Sequence, residues 1–206
     1  MGAIVCAAAV LVIGVKVHGV GAPLRIDLDI DRRLPALPPH LAREITALVR
    51  GSSFAFCVAL LVVGALALRD RYAAMVSAIA GPIAVALTEW VGKPLAARAE
   101  PAGLGYPSGH VTATAVIAAL MVLIGCRRFG WWGLAVLGPT AIAITTSMAI
   151  AVIRLRFHYF SDTVGGALVG VGTVAAVASL VPLAAGRRPS RAGLSDLRRG
   201  SSSVSW

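Results

Sequence analysis

The chain has 206 residues, of which 58% are hydrophobic and 14% charged, and its mean hydropathy is +0.84. Soluble domains are about half apolar and about a quarter charged, so this composition excludes an ordinary soluble fold. The net charge of +10 is high, but no basic face interleaved with aromatic residues accompanies it, and we expect no nucleic-acid partner. Polar residues cluster between long apolar runs, which predicts an all-α, polytopic membrane helix bundle.

Six apolar segments predict about six transmembrane helices. In chain order they are Ala3–Ala22, Gly51–Leu68, Tyr72–Val91, Val111–Cys126, Phe129–Ile153 and Thr163–Gly186. A membrane-crossing helix needs about 20 residues, and the fourth segment is long enough only if His110 lies inside the start of its helix. The first segment ends in small residues, as a signal peptide does, but it lacks a basic start, so we expect a retained helix.

The arginines outside these segments predict the orientation. With six spans, the arginines between segments two and three, between segments four and five, and in the tail fall on one side, which the positive-inside rule makes cytoplasmic. They are Arg69, Arg71, Arg127, Arg128, Arg187, Arg188, Arg191, Arg198 and Arg199. Only two of 19 basic residues are lysines, a bias typical of a high-GC bacterial genome, so we expect the bacterial cell membrane. We assign residues 1–186 to one membrane domain and 187–206 to a disordered cytoplasmic tail.

The outer loop, residues 23–50, has two interpretations. Charged and apolar residues alternate from Arg25 to Asp31, which predicts a short extended piece, and Leu41–Arg50 resembles an amphipathic turn. The loop is either a connector at the membrane interface or part of a lid over a site. Farther along, Gly166 and Gly170 predict close helix packing within the bundle, or alternatively the contact of a possible homodimer.

Two motifs at the same predicted membrane edge carry the chemistry. Pro107-Ser108-Gly109-His110 opens the fourth segment, and His158 and Asp162 precede the sixth. Ionisable groups near a bilayer are costly and usually face a functional cavity. Two imidazoles among cations are suited to a phosphate ester. A metal site formed by His110, His158 and Asp162 is the alternative, but no further carboxylates cluster there, so we expect no metal and no cofactor.

With Lys93 before them, these motifs resemble the three-part signature of the type-2 phosphatidic acid phosphatases, also called lipid phosphate phosphatases. The resemblance covers roughly residues 89–170. It implies a six-helix membrane bundle with an outer-face site that hydrolyses a lipid phosphate among membrane lipids. It also implies residue roles. His158 attacks phosphorus and forms a phosphohistidine, and Asp162 orients it. His110 serves first as acid to the leaving oxygen and then as base to water.

The resemblance further implies how the phosphate is held. Lys93 neutralises its charge, while Ser108 and the backbone N–H of Gly109 bind its oxygens at a helix start, where the helix dipole favours an anion. Glu89 stands four residues before Lys93 and is expected to position that lysine.

Two family arginines are missing. Their positions hold Glu100 and Val152. We expect neighbouring arginines to bind the phosphate instead, and the candidates are Arg98, Arg154 and Arg156. Of these, Arg98 and Arg156 are expected to contribute most. Glu100 is expected to pair with Arg98 or Arg154.

The segment before the sixth helix has two predicted forms. A continuous helix would place Arg154, His158 and Asp162 on one face, whereas a turn would bring Arg156 nearer the phosphate.

The expected activity is therefore a lipid phosphatase, with polyprenyl diphosphate or a related isoprenoid phosphate as the favoured substrate. The other candidate substrates are phosphatidic acid, phosphatidylglycerophosphate and a polyprenyl-linked sugar phosphate. The alternative is a catalytically weakened relative that binds or moves phospholipid.

Overall fold

The computed structural model describes residues 1–100 and 103–184. Its elements, in chain order, are α1 (Gly2–Val17), α2 (Arg25–Arg33), α3 (Pro39–Ala47), α4 (Ser52–Ala67), α5 (Arg71–Ala86), a π-helical segment (Leu87–Gly92), α6 (Lys93–Ala96), β1 (Ala99–Glu100), β2 (Gly103–Leu104), α7 (Gly109–Phe129), α8 (Trp131–Arg154) and α9 (Phe160–Ala184). The two strands form a small antiparallel hairpin in an otherwise helical chain. The predicted tail, residues 187–206, lies outside the described residues.

The all-α membrane architecture predicted from the sequence is confirmed, and every predicted apolar segment contains a helix. Within residues 1–100 and 103–184, four helical stretches are long and apolar enough to cross a membrane: residues 71–96, 109–129, 131–154 and 160–181. Helices α3 and α4 make a fifth if they count as one span bent by 51°, and α1 is a shorter apolar helix. The fourth span reaches its length because α7 begins at Gly109 and takes His110 into its first turn.

Helix α7 lies at the centre of the bundle, where it packs against α4, α5, α8 and α9. Close packing against α9 requires glycine: a Cβ added at Gly166 would lie 2.5 Å from the Ser108 carbonyl oxygen, and one at Gly170 would lie 2.7 Å from the Ala115 Cβ. Small residues let two helix backbones approach closely in lipid. Gly166 and Gly170 thus pack within the bundle, as predicted, and hold the start of α9 against the start of α7.

The third span changes its helical form near the end that carries Lys93. Helix α5 gives way to the π-helical segment at Leu87, followed at once by the single turn of α6. Pro94 has no N–H, so it cannot donate the bond that an α-helix would require there. Single π-helical turns are frequent at functional sites. This one carries Thr88 and Glu89, both of which reach the cavity described below.

The prediction of an extended piece in the outer loop is wrong, because Arg25–Arg33 forms helix α2. The alternation arises from aspartates placed to suit a helix. Asp27 accepts a hydrogen bond from the Leu24 backbone N–H (2.8 Å) and so caps the helix start. Asp27 and Asp31 are four residues apart and share one helix face, which is turned toward the protein.

The opposite end of the bundle is held by an ion pair. Asp70 caps α5 through the Ala73 N–H (3.0 Å) and accepts a hydrogen bond from Arg127 (3.1 Å). The Arg127 guanidinium also lies 4.5 Å above the Tyr72 ring. This ion pair with Arg127 lowers the pKa of Asp70 below its usual value. Asp70 and Arg127 belong to the ends of their spans away from His110. Among the described residues, the arginines predicted to be cytoplasmic therefore lie at the end of the bundle opposite the histidine motifs; they are Arg69, Arg71, Arg127 and Arg128.

Candidate active site

The two chemical motifs meet where α7 and α9 begin. Helix α8 ends at Arg154, residues 155–159 form a turn, and α9 starts at Phe160. The Ser108 backbone N–H donates to the Asp162 backbone carbonyl (3.0 Å), which ties the first motif directly to the second. His158 therefore lies in a turn, which is one of the two predicted forms. The other predicted form, a continuous helix from residue 154 to residue 162, is not present.

A cavity of about 520 Å³ lies beside this junction. Four of the predicted site residues line it: Lys93, Gly109, His110 and His158. The other lining residues are Val49, Arg50, Gly51, Phe54, Val85, Thr88, Glu89, Leu104, Thr112, Ala113 and Phe157. Two imidazoles from different elements thus share a cavity with cations and with an apolar wall.

Lys93 and Glu89 form an ion pair inside the cavity, with Nζ and Oε2 2.7 Å apart. The other carboxylate oxygen of Glu89 would lie 2.8 Å from a Cβ added at Gly109, so it sits against the first residue of α7. The expectation that Glu89 positions Lys93 agrees with this contact. The same carboxylate also reduces the net positive charge of the cavity.

His158 has a strongly perturbed imidazole. Burial, together with the nearby Lys93 ammonium, lowers its pKa to about 4. The Asp162 and Glu89 carboxylates and a backbone hydrogen bond with Gly105 act in the opposite direction and do not offset burial. At neutral pH the ring is uncharged, which is the state that a nitrogen nucleophile requires.

Asp162 is fully buried beside His158. One carboxylate oxygen accepts from Arg98 (2.7 Å), and the other accepts from the Tyr159 backbone N–H (2.8 Å). The second contact fixes the backbone of the residue that follows His158. The carboxylate acts electrostatically on the His158 ring as well.

Arg98 does not line the cavity, contrary to its predicted role in holding phosphate. Its side chain is fully buried and forms ion pairs with Asp162 (2.7 Å) and Asp27 (3.2 Å). It also donates to Ser161 Oγ and the Ala22 carbonyl, and it lies 4.6 Å from the Tyr159 ring centroid. Because its guanidinium is paired with two buried carboxylates, Arg98 stabilises the structure around the cavity and does not face into it.

Arg154 and Arg156 also point away from the cavity. Both form ion pairs with Asp31 of α2, at 3.0 Å and 3.1 Å. Arg154 further donates to the carbonyls of Asp31, Leu34 and Pro35 at the end of α2. The expected replacement of the missing arginines by these two residues therefore has no support in the geometry.

The two positions that lack the family arginines differ in environment. Val152 is fully buried in a cluster with Val49, Val111 and Met148, where an arginine would have no room among apolar side chains. The side chain of Glu100 lies outside the described residues, so its predicted pairing stays a prediction. Arg98 and Arg154 have the aspartate partners given above.

Ser108 precedes α7 as its N-cap, and its Oγ is buried with no hydrogen-bond partner among the described residues. A buried hydroxyl normally has a partner. Ser108 is not among the residues that line the cavity, so its predicted bond to a phosphate oxygen stays a prediction. In the described part of the chain, no group of three or more His, Cys, Asp or Glu side chains could hold a metal ion.

Comparison with known proteins identifies the family. Residues 88–185 match the model of the PAP2 superfamily. This segment, 98 of the chain's 206 residues, belongs to that superfamily. The chain is also similar to a solved structure described as the first transmembrane PAP2 type phosphatidylglycerolphosphate phosphatase from Bacillus subtilis. The two share 15% identity with a TM-score of 0.71, and the match covers 88% of this chain and 96% of that chain, which shows a common fold. No curated protein matches this chain.

Sequence reasoning missed one cation that lines this cavity. Arg50 lies two residues before α4, and its exposed side chain lines the cavity near His110. The signal available was its place: an arginine at the outer end of an apolar segment, where a charged group faces the site rather than lipid. Its neighbour Val49 also lines the cavity, so the outer loop forms part of the cavity wall.

A pair of threonines was missed as well. Thr88 donates to Thr112 Oγ1 (3.2 Å), which in turn donates to the Ser108 carbonyl (2.9 Å). These bonds connect the π-helical segment to the start of α7. Both threonines line the cavity and so add hydroxyl groups below the histidines.

Proposed function

We propose that this multi-pass membrane protein is a phosphatase that hydrolyses a lipid phosphate through a phosphohistidine on His158. One observation carries the proposal: His110 and His158, from separate elements, line one cavity together with Lys93 and Arg50. Membership of the PAP2 superfamily supports the same activity.

The first half-reaction transfers the phosphoryl group to the protein. A neutral nitrogen of His158 attacks phosphorus while the bond to the lipid oxygen breaks. His110 gives a proton to the departing oxygen, which leaves as an alcohol. Lys93 and Arg50 offset charge on the equatorial oxygens, and Ser108 Oγ and the first N–H groups of α7 donate hydrogen bonds to them.

The second half-reaction restores the protein. His110, now neutral, takes a proton from a water molecule as that water attacks the phosphohistidine, and the phosphorus–nitrogen bond breaks to release inorganic phosphate. Asp162 holds the His158 turn through the Tyr159 N–H throughout. Charge changes are therefore confined to a cavity with fixed donors, where preorganisation is most effective.

The cavity wall supports a lipid substrate. Val49, Phe54, Val85 and Ala113 line it beside the polar groups, and three of these residues belong to helices of the bundle. A headgroup phosphate could reach the histidines while its chain stays along apolar side chains. The loops at the far end of the bundle carry Arg69, Arg71, Arg127 and Arg128, which supports a cytoplasmic side there and an outer-face site.

The cavity charge bears on the substrate. Two cations, Lys93 and Arg50, line it, and Glu89 offsets one of them. A phosphate monoester needs fewer cations than a diphosphate, so monoesters such as phosphatidylglycerophosphate or phosphatidic acid fit this charge better than the polyprenyl diphosphate favoured from the sequence. The similar Bacillus subtilis protein is named for a monoester substrate. An isoprenoid monophosphate would agree both with the charge of the cavity and with the isoprenoid substrate favoured from the sequence.

The test is phosphate release by purified protein in detergent from a panel of these lipids. His158→Ala should abolish turnover, and His110→Ala should reduce it by roughly 10²–10⁴-fold, as expected for general acid–base catalysis. His40→Ala is the matched control, because His40 is exposed on α3 and away from the cavity. Radiolabelled phosphate should appear on the wild type and not on His158→Ala. Full activity in His158→Ala, or lipid binding without any phosphate release, would refute the proposal.

A further inference from the structure

Helix α2 contacts both sides of the turn that carries His158. Through Asp27 it contacts the residues that follow His158, and through Asp31 it contacts those that precede it. The two aspartates are four residues apart, so one face of a single helix turn serves both contacts.

Asp27 is almost fully buried and accepts several hydrogen bonds at once. Its Oδ1 accepts from the Ser161 backbone N–H (2.7 Å), and its Oδ2 accepts from Ser161 Oγ (3.1 Å) and Arg98 (3.2 Å). The Ser161 N–H belongs to the first turn of α9, where no helix carbonyl can accept it. Asp27 therefore caps α9 from another element and fixes where that helix begins.

Arg98 extends this contact to the residue beside the nucleophile. One of its nitrogens bonds to both Ser161 Oγ and Asp162 Oδ1 at 2.7 Å, while the other bonds to Asp27. Asp162 then accepts from the Tyr159 N–H. A continuous series of charge-assisted hydrogen bonds thus runs from α2 to the residue after His158.

Asp31 makes the contact on the other side. One of its carboxylate oxygens forms an ion pair with Arg154 and the other with Arg156. These arginines lie four and two residues before His158. Arg154 also donates to carbonyls at the end of α2, so the helix terminus and the end of α8 are joined by several bonds. Arg156 has φ of 58°, a left-handed conformation that is uncommon for arginine, and its ion pair with Asp31 helps to hold it.

We propose that α2 is a clamp on the His158 turn, and that Asp27 and Asp31 are positioning residues for the phosphoryl transfer. The inference rests on the proposed function for its kinetic consequences only. Nucleophilic attack requires alignment to a fraction of an ångström, and a displacement of about 1 Å can cost about 10²-fold in rate. A five-residue turn has few contacts of its own that could provide this alignment. A helix that is bonded to both ends of the turn provides it.

The kinetic test compares isosteric variants in detergent with one lipid phosphate. Asp27→Asn should lower kcat by roughly 100-fold and Asp31→Asn by roughly tenfold, with KM changed by less than about threefold, because neither residue lines the cavity. Asp29→Asn is the control: Asp29 lies between them on α2, exposed, and contacts Arg32 at the surface. Asp31→Glu keeps the carboxylate at a partly exposed site and should recover most of the lost kcat.

A second measurement does not depend on activity. Hydrogen exchange of the backbone amides of residues 155–161 should speed up by at least about tenfold in Asp31→Asn and stay unchanged in Asp29→Asn. If the wild type releases no phosphate while the exchange result holds, the proposed function fails and the clamp stands. Wild-type kcat and wild-type exchange in Asp31→Asn, with the protein folded by gel filtration, would overturn the clamp even if Asp27→Asn does not fold.

Discussion

Replacing Arg98 by methionine removes one cation from between two buried carboxylates. Arg98, Asp27 and Asp162 have side chains that are 0%, 1% and 0% exposed. Methionine has a similar length and fills much of the same space, so the change isolates the charge. Removing one partner of a buried ion pair typically costs about 3–5 kcal/mol, because the remaining charge is left buried and uncompensated.

The expected cost can be converted to a melting temperature. In a domain of this size, 1 kcal/mol corresponds to about 2–4 °C, so Arg98→Met should lower Tm by roughly 6–20 °C. Arg32→Met is the matched control, since Arg32 is exposed on α2, and it should shift Tm by no more than about 2 °C. Thermal unfolding in one detergent, followed by tryptophan fluorescence, measures both.

A double variant separates charge from packing. Asp27→Asn combined with Arg98→Met leaves one buried carboxylate instead of two, so it should melt above Arg98→Met alone. A Tm for Arg98→Met within 2 °C of the wild type would refute the reasoning and would indicate that Arg98 is solvated or bound to the substrate phosphate, as the sequence first suggested.

Three further predictions concern the cavity. Arg50→Gln should lower kcat/KM about tenfold, which is the low end for a charged hydrogen bond because Arg50 is exposed. The control Arg43→Gln, at an exposed position of α3, should leave kcat/KM unchanged. Equal kcat/KM in the two variants would show that Arg50 does not act in the site. Protonated His158 cannot attack, and its pKa is lowered to about 4, so the single-turnover rate of phosphohistidine formation should persist as pH falls from 6.5 to about 5; a midpoint near 6.5 would contradict this. Activity should survive EDTA, because Lys93 and Arg50 supply the positive charge; loss restored by one divalent ion would favour a metal mechanism.

Much of this molecule could be predicted from local sequence. Long apolar runs form helices wherever lipid is the solvent, because backbone groups must then be satisfied within the segment. The motif at Ser108–His110 and the pair His158 and Asp162 lie at the starts of two spans, so counting spans places them at the same membrane edge. The pairing of Glu89 with Lys93 also followed from spacing alone, because i and i+4 are neighbours on any helix.

The partners of the arginines were decided by tertiary structure. Sequence proximity made Arg98, Arg154 and Arg156 candidates for the phosphate, with Arg98 and Arg156 favoured, yet each pairs with an aspartate of α2, 71 to 125 residues away. Nothing local distinguishes an arginine that faces a cavity from one that is buried in an ion pair. Arg50 illustrates the converse, since it is distant in sequence from every motif and lines the cavity because α4 begins there.

Helix α2 shows the same division between local pattern and global packing. By itself, Arg25–Asp31 alternates like a strand, and a short segment has too little intrinsic preference to choose its form. The choice depends on what its aspartates meet: as a helix, α2 places Asp27 and Asp31 on one face, opposite Ser161, Arg98 and the end of α8. The sequence by itself therefore determined the membrane fold and the shared membrane edge of the two histidine motifs. Long-range ion pairing, which has no sequence period, determined which arginines line the cavity and which are engaged with aspartates.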